Sequence, residues 1–295
     1  MPYRHAWIWV ALLLPAVALA FWPAYLSRLG EASWILHAHG LTATLWIVLL
    51  VVQSRSIDRD SRPLHRISGR ASLALFPLFW ASGLLIVHLM AAGFVARANP
   101  FQSAFGARLT PVDLLTSAAI LYLYYVAVSR RRSVLVHASA MLAIPLFLVP
   151  PILVRLFQIG GPLAIAGPDE FHKFGYGLEL ANLLCILMAL WLYARRPKTA
   201  WPFLVAAATI AAQGLAFETL GRSRAWESAM PWLASIPTAA IAASSLLLSA
   251  AVVWAAWSAP ANSRPPGPRQ PAQDPGGGRA ASKHQPKVGP FPEPR

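Results

Sequence analysis

Long apolar stretches separated by short polar ones set the pattern of this chain. Runs without Asp, Glu, Lys or Arg cover residues 6–27, 32–54, 71–96, 114–129, 133–154, 199–217 and 228–263, and residues 174–194 form another with one interruption, Glu179. A bilayer-spanning helix needs roughly 17 to 25 such residues; the run beginning at Leu114 reaches that length by extending outward through Asp113 at its interface end. The predicted fold class is therefore all-α: a polytopic transmembrane helical bundle of eight spans over residues 1–258. Residues 259–295, rich in Pro, Gly and basic side chains, are predicted to form a disordered cytoplasmic tail.

Eight spans put both termini on one side and sort the connecting segments into two sets. Of the 25 Lys and Arg residues, 18 fall in one set and seven in the other. The richer set comprises Arg4; Arg55, Arg59, Arg62, Arg66 and Arg70; Arg130–Arg132; Arg195, Arg196 and Lys198; and the tail. By the positive-inside rule that side is cytoplasmic, and both termini with it. Tryptophan agrees: Trp7, Trp9, Trp191, Trp201, Trp254 and Trp257 fall at predicted inner ends and Trp22, Trp34, Trp226 and Trp232 at outer ends, as interfacial rings do. The first span has a second reading, a signal peptide, because Tyr3-Arg4-His5 precedes an apolar run ending in Ala18-Leu19-Ala20.

Composition supports the membrane reading, with 57% hydrophobic and 12% charged residues in 295, about half the charge of an ordinary soluble domain. The net charge of +14 reports topology here; no nucleic-acid partner is expected, and the bilayer itself is. A single cysteine, Cys185, excludes an intramolecular disulfide. No internal repeat marks an inverted-repeat transporter, and no Walker, His-Glu-x-x-His or Gly-x-Ser-x-Gly motif is present.

Candidate chemistry rests on the few ionisable groups at membrane depth, each costing roughly 2.5–3.5 kcal/mol on insertion scales. His39, Trp46 and Gln53 recur every seven residues and share one stripe of the second span, with Thr42 beside it; His37 faces the other way and reads as a packed residue. His172, Glu179 and Asn182 share a stripe of the sixth span. Counting 1.5 Å per residue places His39, His88 and Glu179 roughly 7, 13 and 9 Å below the outer surface. A second layer, His65 and His137, lies near the cytoplasm among Arg66, Arg70 and Arg130–Arg132, whose guanidinium forks suit carboxylates or phosphates. Glu218 and Arg222, four residues apart, read as an interfacial ion pair. Pro77, Pro145, Pro150 and Pro151 predict kinks in the third and fifth spans.

Two histidine layers on several helices resemble the layout of membrane-embedded di-haem b-type cytochromes. That resemblance implies haem b, with His39 and either His88 or His172 at an outer iron, His65 and His137 at an inner one, Arg66 and Arg70 near propionates, and a quinone or other redox partner. A separate resemblance lies in the sequence motifs. The helix bearing His39, Trp46 and Gln53, followed by His65-Arg66-Ile67-Ser68-Gly69-Arg70 and later by His137-Ala138-Ser139-Ala140-Met141, resembles a bacterial family of multi-pass membrane proteins of unknown function. It covers residues 34–157 and implies a multi-pass protein of the bacterial inner membrane, with His-Arg-x-x-Gly-Arg as a loop. Gly69 reads as a turn or as the small residue of a close helix contact. Two other functions stay open: a proton-coupled transporter in which Glu179, as the catalytic group, relays with His39 and His88, and a non-catalytic membrane scaffold.

Overall fold

The computed structural model describes residues 3–260, which form helices and turns with no strand among them; the predicted tail lies outside the described residues. Ten helices follow in order: α1 (Ala6–Phe21), α2 (Trp34–Asp58), α3 (Arg62–Ala96), α4 (Pro100–Ser129), α5 (Val134–Ala143), α6 (Val149–Ile159), α7 (His172–Ala194), α8 (Trp201–Glu218), α9 (Arg224–Ser235) and α10 (Thr238–Ser258). Seven segments are long and apolar enough to cross a membrane, α5 and α6 counting together as one. The eighth apolar helix, α1, has 16 residues, about 24 Å of rise against a hydrocarbon core of about 30 Å.

Helix ends differ from the charge-free runs where capping outweighs composition. α3 begins at Arg62 rather than residue 71, because Pro63 sits in its first turn, where a missing N–H costs nothing. His65 to Arg70, expected as a loop, are therefore two helical turns. α4 begins at Pro100, with Asn99 Oδ1 accepting from the Gln102 amide at 2.8 Å. Asp113, expected at an interface end, thus lies mid-helix, and Arg108 and Arg155 belong to α4 and α6 rather than to loops. The last apolar run divides at Ile236-Pro237 into α9 and α10. α9 is capped by Ser223, buries Met230 with Ala91 and Ala107, and donates from Trp226 Nε1 to the Ala107 carbonyl at 3.0 Å.

Of the prolines, Pro145 acts as expected: α5 stops at Ala143 and a 3₁₀ turn, Ile144–Phe147, joins it to α6. α3 passes unbroken through Pro77.

Contacts at one end draw together every described segment of the arginine-rich set. Arg4 approaches Asp58 of α2 at 3.9 Å, Tyr3 packs edge-on against Phe203 of α8, and Ser139 of α5 donates to the Thr199 carbonyl at 2.8 Å. Arg131 reaches the Ala256 carbonyl of α10 at 3.4 Å. At the opposite end Glu218 pairs with Arg222, as its spacing implies, and also with Arg108 of α4, at 2.8 and 3.0 Å. The outer surface between these ends is apolar: Trp9, Leu12, Leu19, Leu183, Leu187 and Leu247 are all exposed. So large an exposed apolar area marks lipid contact rather than a water-facing surface.

Within the bundle, Trp46 is wholly buried. It stacks on Phe79 at 5.5 Å and touches Phe76 and Tyr124 at 5.6 Å each, and Phe76 in turn stacks on Tyr124 at 3.7 Å. Lipid removes the hydrophobic driving force between helices, so this packing itself carries the association of α2, α3 and α4. Trp46→Ala is expected to destabilise the bundle by up to about 3–5 kcal/mol, the range for emptying a large aromatic site, read as an earlier midpoint in a denaturing-detergent titration.

Candidate functional site

The stripe of α2 runs along α3. At its top His39 Nδ1 meets Ser82 Oγ at 3.3 Å, Thr42 meets the same hydroxyl at 2.8 Å, and the His39 ring stacks on Phe79. Trp46 occupies the middle. At the bottom Gln53 and His65 clasp each other: Gln53 Nε2 donates to the His65 carbonyl at 3.3 Å and to Ser68 Oγ at 3.0 Å, while His65 Nδ1 faces the Gln53 carbonyl at 3.4 Å. Gly69 makes room for this clasp, since a Cβ there would lie 3.3 Å from Gln53 Nε2. Of the two readings of Gly69, the close contact is the one realised.

His137 comes to the same place from α5. α4 leaves its last carbonyls without intrahelical partners, as any helix does, and His137 Nδ1 bonds that of Ala127 at 2.8 Å. The His65 and His137 rings lie 6.3 Å apart, centre to centre, with planes at 87°. A carbonyl only accepts, so each Nδ1 carries its hydrogen and each Nε2 keeps a lone pair. A carbonyl on the second nitrogen is the usual support for an imidazole that ligates a metal.

Both rings line a half-open cavity of about 910 Å3, walled by α2, α3, α4 and α5 with Trp257 of α10 and closed at the chain's start by Tyr3 and Arg4. Its apolar wall includes Leu50, Leu73, Val128, Met141 and Leu142; Ser72 and Tyr124, bonded to each other at 2.9 Å, mark where it meets the aromatic packing. Five arginines line it, Arg4, Arg62, Arg66, Arg70 and Arg131, against one acid, Asp58. Arg4 and Arg55 approach Asp58, Arg62 approaches Asp60, and Arg131 lies over Trp257. Arg66 and Arg70 are exposed and, among the described residues, have no side-chain hydrogen bond or ion pair. At the rim, burial raises the Tyr3 hydroxyl above its ordinary pKa, an effect that Arg196 partly offsets. It stays a neutral donor at physiological pH.

The outer residues do not assemble. His88 turns from α2 toward α9 and α10, its Nδ1 on the Leu233 carbonyl at 3.2 Å and its Nε2 near Thr238 Oγ1 at 3.4 Å. Both of its nitrogens are thereby engaged. His172 is exposed at the start of α7, with Nδ1 on the Asp169 carbonyl at 3.2 Å. His37 bonds the Tyr25 hydroxyl at 2.9 Å, the packed role expected of it. Glu179 lies against Gly214 of α8 and, among the described residues, shares no hydrogen bond with these histidines. Among the described residues no three His, Cys, Asp or Glu side chains converge as a multi-ligand metal site; the two-imidazole arrangement of His65 and His137 is a different geometry.

Sequence reasoning missed that Asp113 and Arg155 lie inside α4 and α6. It also missed Tyr3, Ser72 and Tyr124 as cavity residues. A signal for the first pair existed in two opposite charges flanked by apolar runs, hidden because both were assigned to span ends.

No family model, curated protein or solved structure matches this chain. The motif resemblance therefore rests on its residues alone, and the coarse class defined by the fold is a multi-pass helical membrane protein with an arginine-lined, histidine-bearing cavity at one end.

The clasp has a direct test within α3. Gly69→Leu drives a side chain into Gln53, whereas a Cβ at Gly83 meets nothing within 4 Å. Gly69→Leu is expected to lower the melting temperature in detergent, and Gly83→Leu to leave it unchanged or raise it slightly, since replacing a mid-helix glycine gains up to about 1 kcal/mol.

Proposed function

We propose that the protein binds one haem b at its arginine-rich end and passes electrons within the bilayer. His65 and His137 would hold its iron, and Arg66 and Arg70 would meet its carboxylates. The observation that carries this reading is the neighbouring His65–His137 pair, rings edge-on, with both Nδ1 atoms committed to backbone carbonyls. Two imidazoles that would hold one metal ion, each at about 2 Å, need ring centres within about 6 Å of each other. The pair's 6.3 Å spacing fits that requirement.

The surroundings fit as well. A cavity of about 910 Å3 is at the large end of the 300–1,000 Å3 typical of cofactor and small-molecule sites. Its apolar walls suit a macrocycle, and unpaired guanidinium groups at its edge suit carboxylates. Bound haem supplies one-electron chemistry, with imidazole as axial ligand setting its potential. The chain's own part is to orient the imidazoles through Gln53 and Ala127 and to anchor the acid groups. A quinone or a soluble redox protein is the partner such a site would serve.

A single site replaces the two-haem layout, because His39, His88 and His172 face different neighbours. The expected result is a b-type reduced-minus-oxidised spectrum with one haem per chain after detergent purification from haem-replete cells. His65→Ala and His137→Ala are expected to lose it, while His88→Ala and His172→Ala keep it. A colourless wild-type protein would falsify the reading.

We infer eight crossings, with α1 completing its own through the turn that follows it, and a cytoplasmic arginine-rich end in a bacterial inner membrane. Cys185 is fully buried, so single cysteines placed at Arg132 and Arg222 report on side alone. An impermeant thiol reagent added to intact cells is expected to label Arg222→Cys and spare Arg132→Cys.

A further inference from the structure

We propose that Glu179 is the proton-exchanging group of a second intramembrane site, set in the seam between α7 and α8 and reached from the arginine-poor end past Glu218. Its place is independent of the haem reading. Glu179 lies seven residues into α7, about 10 Å from the start of that helix. Its Oε1 is enclosed and has no hydrogen-bond partner among the described residues. Oε2 has only a long approach, 3.5 Å, from the amide of Asn182, itself buried.

The opposing helix is shaped around this carboxyl. A Cβ at Gly214 would lie 2.5 Å from Glu179 Oε2 and 3.1 Å from both Cδ and Oε1, so any larger residue displaces it. A glycine in the middle of a helix costs up to about 1 kcal/mol relative to alanine. The space is thus kept at a cost to α8.

An ionised carboxylate in this position leaves one oxygen without a donor in a medium that solvates charge poorly. A proton on the carboxyl removes the charge and the need for that donor. Burial without fixed partners leaves the proton free to come and go. Neighbouring groups define the route. Glu218, one turn above Gly214 on α8, is partly exposed and is held at the mouth by Arg108 and Arg222. Gly175, one turn above Glu179 on α7, opens toward it, with Glu218 Oε1 3.6 Å from the position of a Cβ. Lys173 is occupied by Glu170, Arg155 of α6 donates to the Pro151 carbonyl and lies over the Phe21 ring, and Asp113 is carried by α4. His172 sits at the exposed start of α7. The step is transfer of one proton between the Glu179 carboxyl and water or the Glu218 carboxylate, in which only O–H bonds break and form. His39 and His88 have no part in it.

The test is infrared spectroscopy of the protein in lipid nanodiscs, following the C=O stretch of protonated carboxyl groups as bulk pH is raised. A band absent from Glu179→Gln, moved to a new frequency in Glu179→Asp, and diminishing with rising pH is the expected result. Gly214→Ala is expected to shift that band with the circular dichroism unchanged, and Glu218→Gln to move the pH at which it disappears. Identical spectra for wild type and Glu179→Gln overturn the proposal. So does a Glu179 band indifferent to pH, which would mark a sealed structural acid, and so does a band unmoved in Gly214→Ala.

Discussion

The reciprocal clasp of Gln53 and His65 is the constraint on which the arginine-rich end depends. Each residue gives its side chain to the other's backbone carbonyl, so the turn between α2 and α3 is closed by side chains that cannot be satisfied by lipid. The stakes are high because a buried amide or imidazole left unpaired forfeits the hydrogen bond it had with water. The clasp fixes the register of α2 on α3, and with it the alignment that brings Trp46 between Phe76 and Phe79. It also aims His65 toward α5. Remove the register and the facing imidazole, the cavity wall and the aromatic packing move together.

Polar groups are buried in three different ways along this bundle. His88 and His37 are fully or largely committed to specific partners and tie peripheral segments, α9 and the turn after α1, to the longer helices. His65 and His137 are half committed, one nitrogen each. Glu179 is the least committed, with one oxygen lacking any partner among the described residues. The number of unfilled hydrogen-bond positions, rather than depth in the bilayer, separates groups that hold the fold from groups free to act.

Most of the helical order was readable from charge-free runs, because in lipid a charge is the strongest local signal of where a span stops. The seven-residue stripe of His39, Trp46 and Gln53 is one face of α2, and in the structure that face meets α3; several segments of the basic set have described ends in contact. The errors in the span ends have one physical origin. Charges were treated as boundaries, yet α3 carries Arg66 and Arg70 inside a capped helix of 35 residues that extends beyond the hydrocarbon, and α4 carries Arg108 and Asp113 inside one of 30. Grouping histidines by depth was a second source of error. Depth is one coordinate, and rotation about the helix axis decided that His88 faces α9 while His39 faces Ser82. The His65–His137 meeting needed both coordinates, and those of α5 followed only once Pro145 had broken the fifth span.

That break also has a mechanical meaning. A helix whose hydrogen-bond ladder is interrupted bends at the interruption more readily than elsewhere, so α5 is a short lever hinged at the 3₁₀ turn Ile144–Phe147. His137 rides seven residues from that hinge, an arm of about 10 Å, and a tilt of ten degrees carries it about 2 Å. The opposing ring belongs to the long unbroken α3 and stays where the clasp puts it. The cavity is thus a jaw whose hinged side is held by the His137–Ala127 and Ser139–Thr199 hydrogen bonds and whose fixed side is held by the clasp.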